Sequence, residues 1–301
     1  MCNFGAEMKN ELSILIPTFN GDCRQQVTEL RAQACVIDGL KYEIIVADDG
    51  STDRNQVAVC REIAQWPCCH LIECKDNRGR AAIRNFLASK ARFQWLLFLD
   101  CDMTIEPSLL IRYLSCPEGD VINGGVCIGT GQKDNLRYLY EKACEGQHTA
   151  SERQKQPYQH FHTANFMARR EIMSRFPFDE RYKSYGYEDV FFGKQLAKNH
   201  IKIVHIDNPA GFDKFEDNHR FMEKTEEGLR TLHTFRRDLR GYSNLLTFVN
   251  GIHLGIVKQF IRLWHKLFGA WERRSLCGRH PNLKIFALYK LGYYLTLTKN
   301  D

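Results

Sequence analysis

The chain has 301 residues, 44% of them hydrophobic and 26% charged, which suits one large domain or a domain with an appendage and excludes disordered, collagen-like and low-complexity classes. Its net charge of +6 is uneven: residues 1–229 hold 29 Lys and Arg against 33 Asp and Glu, whereas residues 230–301 hold 13 against 3. A mildly acidic body therefore carries a strongly basic C-terminal quarter.

Met1–Glu11 has acids and amides around no apolar core, unlike a secretory signal. No later run approaches the ~20 consecutive apolar residues of a membrane-spanning helix. The sequence predicts a cytoplasmic protein whose twelve cysteines, none in a C-x-x-C pair, are reduced thiols, many of them small core residues.

Leu12–Ile16, closed by Pro17, reads as a buried strand, and a helix follows over Cys23–Ala34. Tyr42–Ala47 is a second strand, ending in the turn cluster Asp48-Asp49-Gly50-Ser51. Gln56–Trp66 has helical spacing, His70–Cys74 is a third strand, and Ala81–Ala91 is again helical. Trp95–Leu99 is wholly apolar and reads as the central strand, ending at Asp100. This alternation predicts an α/β domain with a mainly parallel sheet flanked by helices.

Further along, Val121–Ile128, Thr163–Ala168 and Ile201–Ile206 read as strands, Asn135–Cys144 and Glu188–Leu196 as helices, and the polar stretch Glu145–Gln159 as a mobile loop. From about Ser243 the chain predicts one basic amphipathic helix. Leu245, Val249, Ile252, Ile256, Phe260, Leu263, Trp264 and Leu267 fall on one face, with Lys258, Arg262, His265 and Lys266 mostly away from it. The expected division is a catalytic domain over 1–235 and a basic helical extension over 236–301. The extension either lies on an anionic membrane surface, packs on the body as an ordinary core helix with its cations outward, or binds nucleic acid; no nucleic-acid-binding motif supports the last.

Three strands end in polar clusters: Pro17-Thr18, Asp48-Asp49 and Asp100-Cys101-Asp102. In open α/β sheets ligands bind outside the carboxyl ends of strands, so the three are expected to line one crevice. Two carboxylates one residue apart suit a hard cation such as Mg²⁺ or Mn²⁺, although Asp is also a favoured turn residue. Asp49 suits a ribose hydroxyl or base N–H, or else a turn and helix cap. Glu188-Asp189 opens a helix and offers a general base, or else compensates the helix dipole. Arg78, Arg80 and Arg84 suit phosphate, or else a solvated face.

In this order the segments resemble glycosyltransferase family 2, the inverting family with the GT-A fold. The resemblance is carried by Ser13–Asn20, Glu43–Asp53, Asn77–Asn85, Leu97–Asp102 and Gly186–Asp189. It implies a Rossmann-like GT-A domain that transfers a sugar from a nucleotide-diphosphate donor, often UDP-linked, to a hydroxyl of a glycan or lipid-linked glycan, as in cell-surface polysaccharide synthesis. By resemblance Pro17, Thr18 and Phe19 border the nucleotide, Asp49 holds the uracil, and Arg84 lines or supports that pocket. Asp100 and Asp102 form the D-x-D pair that binds Mn²⁺ or Mg²⁺, with Asp102 the more direct ligand. Asp189 is the catalytic base, with Glu188 positioning acceptor or metal.

Two departures stand out. Cys101 occupies the middle of D-x-D, and Asn208–Asp213 offers no His at the place where some relatives ligate the metal, leaving His205 and Asp213 as substitutes. Tyr185–Ile206 is also similar to the C-terminal segment of galactosyl- and N-acetylgalactosaminyl-transferases. Two other readings weigh against this one. A nucleotidyltransferase would carry a Gly-rich phosphate loop, which Pro17–Asp22 does not provide. A non-catalytic binding subunit would have no need of Asp102 and Asp189.

Overall fold

The computed structural model describes residues 9–298; Cys2 and most of the Met1–Glu11 segment lie outside them. The first part alternates β1 (Glu11–Thr18), α1 (Arg24–Cys35), β2 (Lys41–Asp48), α2 (Arg54–Ile63), β3 (Cys69–Glu73), α3 (Arg80–Lys90) and β4 (Trp95–Leu99). The middle holds β5 (Met103–Thr104), α4 (Leu109–Leu114), β6 (Val121–Asn123), β7 (Val126–Ile128), α5 (Leu136–Cys144), α6 (Ala150–Lys155), β8 (Asn165–Arg169), α7 (Arg170–Arg175), α8 (Glu188–Lys198), β9 (Ile203–His205) and β10 (Ala210–Phe212). Four helices follow: α9 (Asn218–Thr234), α10 (Asn244–Gly251), α11 (Gly255–Leu276) and α12 (Leu283–Leu297).

Seven strands form one sheet in the order β3-β2-β1-β4-β8-β6-β9. Strand β8 runs antiparallel to β4 and β6, and the remaining neighbours are parallel. Alternate residues of β1 feed two cores: Leu12, Ile14 and Ile16 enter one, and Leu15 enters the other with Phe98 and Phe166. Burial on both faces explains why these strands read as unbroken apolar runs. Because β2, β1 and β4 are adjacent and parallel, their carboxyl ends bring Asp48, Thr18 and Asp100 to one edge.

Three expectations need correction. Val121–Ile128 is two strands in two sheets: β6 joins the large one, and β7 pairs with β10 in a three-stranded sheet, β5-β10-β7. The break falls at Gly124 and Gly125; Gly125 has φ 82. Glu145–Gln159 is not an unstructured loop, since it contains α6, capped by Thr149, whose side chain accepts from the Glu152 amide. Its polar sequence hides a buried role, because Arg153 is 1% exposed and donates to the carbonyls of Asn123, Gly124, His148 and Ile206.

The helix expected from Ser243 onward is two helices, α10 and α11, separated at Ile252, whose backbone is extended. Residues from both sides of position 235 share cores: Tyr182, Leu229 and Leu232 pack with Leu246, Val249 and Tyr294. The outward face of α11 is the reverse of an ordinary core helix. Its polar side meets α12, where Arg262 donates to the Leu295 carbonyl at 2.9 Å and to Thr298 Oγ1 at 3.0 Å; within α11, Glu272, 1% exposed, accepts from Trp264 Nε1 at 2.8 Å. A Cβ on Gly292 would lie 2.7 Å from His265 Cβ, so the close crossing of the two helices requires glycine there. No helix among the described residues is long and apolar enough to cross a membrane.

Candidate active site

The loops after β1 and β2 are tied together before any ligand is considered. Asn20, in the left-handed region at φ 53, accepts on Oδ1 from the Thr52 and Asp53 amides, both at 2.9 Å. Thr18 is buried beside this knot, while Phe19 stands 47% exposed. Asp48 accepts from the Ser51 amide and hydroxyl. Asp49 accepts from the amides of Arg78 at 2.8 Å and Gly79 at 3.0 Å. The Asp49 carboxyl is thus oriented by the start of α3, and burial raises its pKa. Gly50, at φ 75, allows this approach, since a Cβ there would lie 2.7 Å from the Asp76 carbonyl carbon.

The Asp100-Cys101-Asp102 turn is held from below. Gln26 on α1 donates to the carbonyls of Asp100 and Met103 at 2.9 and 3.0 Å. Arg84, 2% exposed, donates to Asp100 Oδ1 at 2.6 Å, and its Nη1 lies 3.5 Å from Glu188 Oε1. Arg84 therefore supports the acids from inside the body. Burial pushes the Cys101 thiol up to about 12, with Asp102 adding to the shift, so it stays protonated in the turn. Burial, then the neighbouring Asp100 charge, also raises the Asp102 carboxyl.

Glu188 and Asp189 begin α8 after a strained turn: Gly186 has φ 91, and Tyr187, a non-glycine residue, has φ 71. Helix α9 holds this turn, with Glu227 accepting from the Tyr185 amide at 2.9 Å and Thr231 donating to the Tyr185 carbonyl. Glu188 is buried and turned toward Arg84. Asp189 is half-buried, and desolvation followed by the Glu188 charge lifts its carboxyl to about 7, against a hydrogen bond from the Val190 amide at 2.7 Å. His162 Nδ1 lies 4.0 Å from Asp189 Oδ2; burial pushes this imidazole down to about 3, so it is neutral and not an ion-pair partner.

Asp100, Asp102, Glu188 and Asp189 line one cleft of about 470 Å³. Pro17, Thr18, Phe19, Asp49 and Arg84 lie outside its lining, along the neighbouring strand ends or beneath it. The cleft also takes four cations, of which the sequence singled out only Arg80, as suited to phosphate. Arg80, the first residue of α3, faces Glu188, Asp100 and Asp102 and lies over the Tyr185 ring at 5.0 Å. Arg137 on α5, Lys224 on α9 and Lys290 on α12 also line it, with Arg137 paired to Glu141 at 2.8 Å and Lys224 to Glu216 at 2.9 Å. Arg80 was visible in the Arg-rich segment, whereas the other three come from helices remote in sequence.

His205 and Asp213 do not reach the cleft. Arg153 Nη1 donates to His205 Nδ1 at 2.7 Å, which makes Nε2 the protonated nitrogen that donates to the Pro157 carbonyl at 2.9 Å. Both ring nitrogens are engaged, and burial pushes His205 down to about 4. Asp213 accepts from Thr104 Oγ1 at 2.7 Å. Among the described residues no three His, Cys, Asp or Glu side chains form a ready-made ion cage. The two carboxylates of the D-x-D turn nevertheless suit a hard divalent cation. Both are oxygen donors, and added positive charge would relieve the desolvated Asp102.

A sequence model described as Glycosyl transferase family 2 matches residues 13–176. Chondroitin synthase of Escherichia coli is 30% identical over 140 residues, which are 44% of this chain and 20% of that protein. Matches to curated relatives take in 11–41% of those proteins' own lengths. Among solved structures, the mannosyltransferase PcManGT of Pyrobaculum calidifontis, in complex with GDP-Man and Mn²⁺, superposes with a TM-score of 0.60 at 15% identity, over 96% of this chain and 86% of that one. TarS of S. aureus in complex with UDP-GlcNAc superposes with a TM-score of 0.50 at 17% identity, over 96% and 91%. At these identities the likeness establishes the fold, an α/β GT-A-like domain with a mostly parallel sheet and C-terminal helices.

Proposed function

The chain belongs to glycosyl transferase family 2, and from that premise we propose that it is an inverting, cation-dependent glycosyltransferase. Its donor is a nucleoside-diphosphate sugar, UDP-linked in this reading, and its acceptor is a hydroxyl of a glycan or lipid-linked glycan. Structural neighbours that carry GDP-Man with Mn²⁺ or UDP-GlcNAc support the donor class, and the relation to chondroitin synthase supports a role in polysaccharide synthesis. The observation that carries the reading is the meeting of the D-x-D acids and Asp189 in one cleft, with the Asp189 carboxyl raised into the range of a working base.

Asp189 takes the proton from the acceptor hydroxyl as that oxygen bonds to the anomeric carbon of the sugar. The bond from that carbon to the diphosphate breaks, and its electron pair leaves with the nucleoside diphosphate. Attack opposite the leaving group inverts the anomeric centre. Asp100 and Asp102 would hold Mn²⁺ or Mg²⁺, which when bound neutralises charge developing on the diphosphate. Arg84 fixes Asp100 and Glu188 from inside, and Arg80 presents a second positive charge at the same acids. Asp49, with both oxygens oriented by backbone amides, retains acceptor capacity for the base of the nucleotide.

A thermal-shift screen of UDP- and GDP-linked sugars, with Mn²⁺ and with chelator, tests the donor class. A stabilising donor raises the melting temperature by mass action. The expected result is a Mn²⁺-dependent rise with one nucleotide series that Asp102→Asn removes. No rise with any nucleotide diphosphate would contradict the reading.

A further inference from the structure

Among the described residues, the outward face of α11 has no partner in the body. Ile256, Phe260, Leu263, Leu267 and Trp271 follow one another at spacings of four, three, four and four residues, and each is 55–74% exposed. Such spacing places them on one stripe of the helix. Leu254, at the start of α11, and Phe248, on α10, extend the apolar surface at 65% and 60% exposure. A contiguous apolar stripe on this scale marks an interaction site on a folded protein.

The charge around the stripe identifies the occupant. Between residues 239 and 298 there are nine Lys and Arg but a single carboxylate, Glu272. That carboxylate is buried between Trp264 and His265, so residues 239–298 themselves place no exposed acid on this surface; acids of the α9 segment flank the C-terminal end of α11, with Glu226 paired to Arg273 at 2.8 Å and Asp217 and Glu223 near Cys277. Lys266 and Arg274 stand exposed on α11 itself, and Arg279, His280 and Lys284 follow its C-terminal end. A second copy docked through this face would bring two such basic tails together. An anionic bilayer satisfies both features at once, taking the apolar stripe between its headgroups and the cations at its surface.

The same surface leads toward the catalytic cleft. An apolar groove of about 760 Å³ lies between α9, α10 and α12, with Phe248 at its outer side. Tyr140, Tyr187, Leu229 and Lys290 line both this groove and the cleft that holds Asp189. The two spaces are therefore neighbours through shared walls.

We propose that α11 docks this protein on the surface of an anionic membrane, with its Ile256–Trp271 stripe inserted among the lipid headgroups and the groove turned toward that membrane. Docking does not depend on the catalytic reading, and it is measured without turnover.

The full chain is co-sedimented with vesicles of phosphatidylcholine and phosphatidylglycerol in equal amounts, and with phosphatidylcholine vesicles alone, at low and high salt. Wild type is expected to pellet with the anionic vesicles and much less with the neutral ones, and salt weakens the binding. Phe260→Glu/Leu267→Glu changes only exposed positions and is expected to lower the partition coefficient on the order of tenfold or more. Circular dichroism and an unchanged melting temperature establish that the variant is folded. Lys266→Glu/Arg274→Glu tests the charge contribution separately and is expected to reduce binding to anionic vesicles only. Wild type that stays in the supernatant with anionic vesicles would overturn the proposal, as would a folded Phe260→Glu/Leu267→Glu variant that binds as wild type does. A wild-type dimer in sedimentation velocity that the same variant converts to monomer, without vesicle binding, would assign the face to a second copy instead.

Discussion

Arg84 donates to Asp100 at 2.6 Å from a position that is only 2% exposed. The first acid of the D-x-D turn is thus held by a cation inside the body, leaving the solvent side of the turn to the cleft. The same guanidinium reaches Glu188 at 3.5 Å. One buried cation therefore couples two acidic motifs that lie far apart in the chain.

Arg84→Met removes that cation and leaves Glu188 buried without its partner. Removing one member of a buried ion pair costs about 3–5 kcal/mol. Denaturant unfolding is expected to register a loss of this size, together with a fall in turnover. Arg84→Lys keeps the charge but not the two-pronged reach, and is expected to fall between wild type and Arg84→Met. A stability equal to wild type in Arg84→Met would show that the pair is not a support.

Asp189 sets a pH dependence with a definite sign. Its carboxyl moves from 3.8 to about 7 in the ligand-free fold. The native state therefore holds this proton more tightly than the unfolded chain, and stability falls as pH rises between those values. Asp189→Asn removes the effect, so wild type is expected to melt progressively lower than the variant as pH is raised from 4 to about 8. Turnover by wild type is expected to rise through the same region as the base ionises, and His162, held neutral down to about 3, does not contribute a limb there.

Arg153 and His205 form a structural network, so their variants should alter stability without altering metal dependence. Arg153→Met strips donors from four buried carbonyls and is expected to destabilise by about 3 kcal/mol or more. His205→Ala is expected to keep the wild-type Mn²⁺ titration. A shifted Mn²⁺ midpoint in His205→Ala would restore it as a ligand.

Gly50→Ala places a Cβ against the Asp76 backbone at a positive φ, which costs about 1–3 kcal/mol. The strain falls on the loop that presents Asp49, so a raised KM for donor is expected to accompany the lost stability. An unchanged KM would separate Asp49 from donor binding.

The sequence made the sheet's first four strands and the helices between them legible because both faces of the sheet are buried and its apolar runs are unbroken. The D-x-D turn and Glu188-Asp189 were legible through order and spacing. Arg84 was legible as a residue of interest, but its burial beneath Asp100 was not, because a buried paired Arg and a solvated one look alike in sequence. The strands β5, β7 and β10 have two or three residues each, too few for any period to show. Helix α6 was hidden because its buried side chain is Arg153, whose partners are carbonyls. On α11 the apolar stripe was legible and its direction was left open, because an apolar stripe marks the face that leaves water, whether it meets a protein core or another surface.

The most direct measurement is release of nucleoside diphosphate from the donor selected by the thermal-shift screen, with Mn²⁺, by wild type, Asp102→Asn and Asp189→Asn. The expected result is turnover by wild type that chelator abolishes, with each variant slower by on the order of 100-fold or more while still folded. Folded Asp102→Asn and Asp189→Asn proteins that both turn over within about twofold of wild type would contradict the assignment of this cleft as the transfer site.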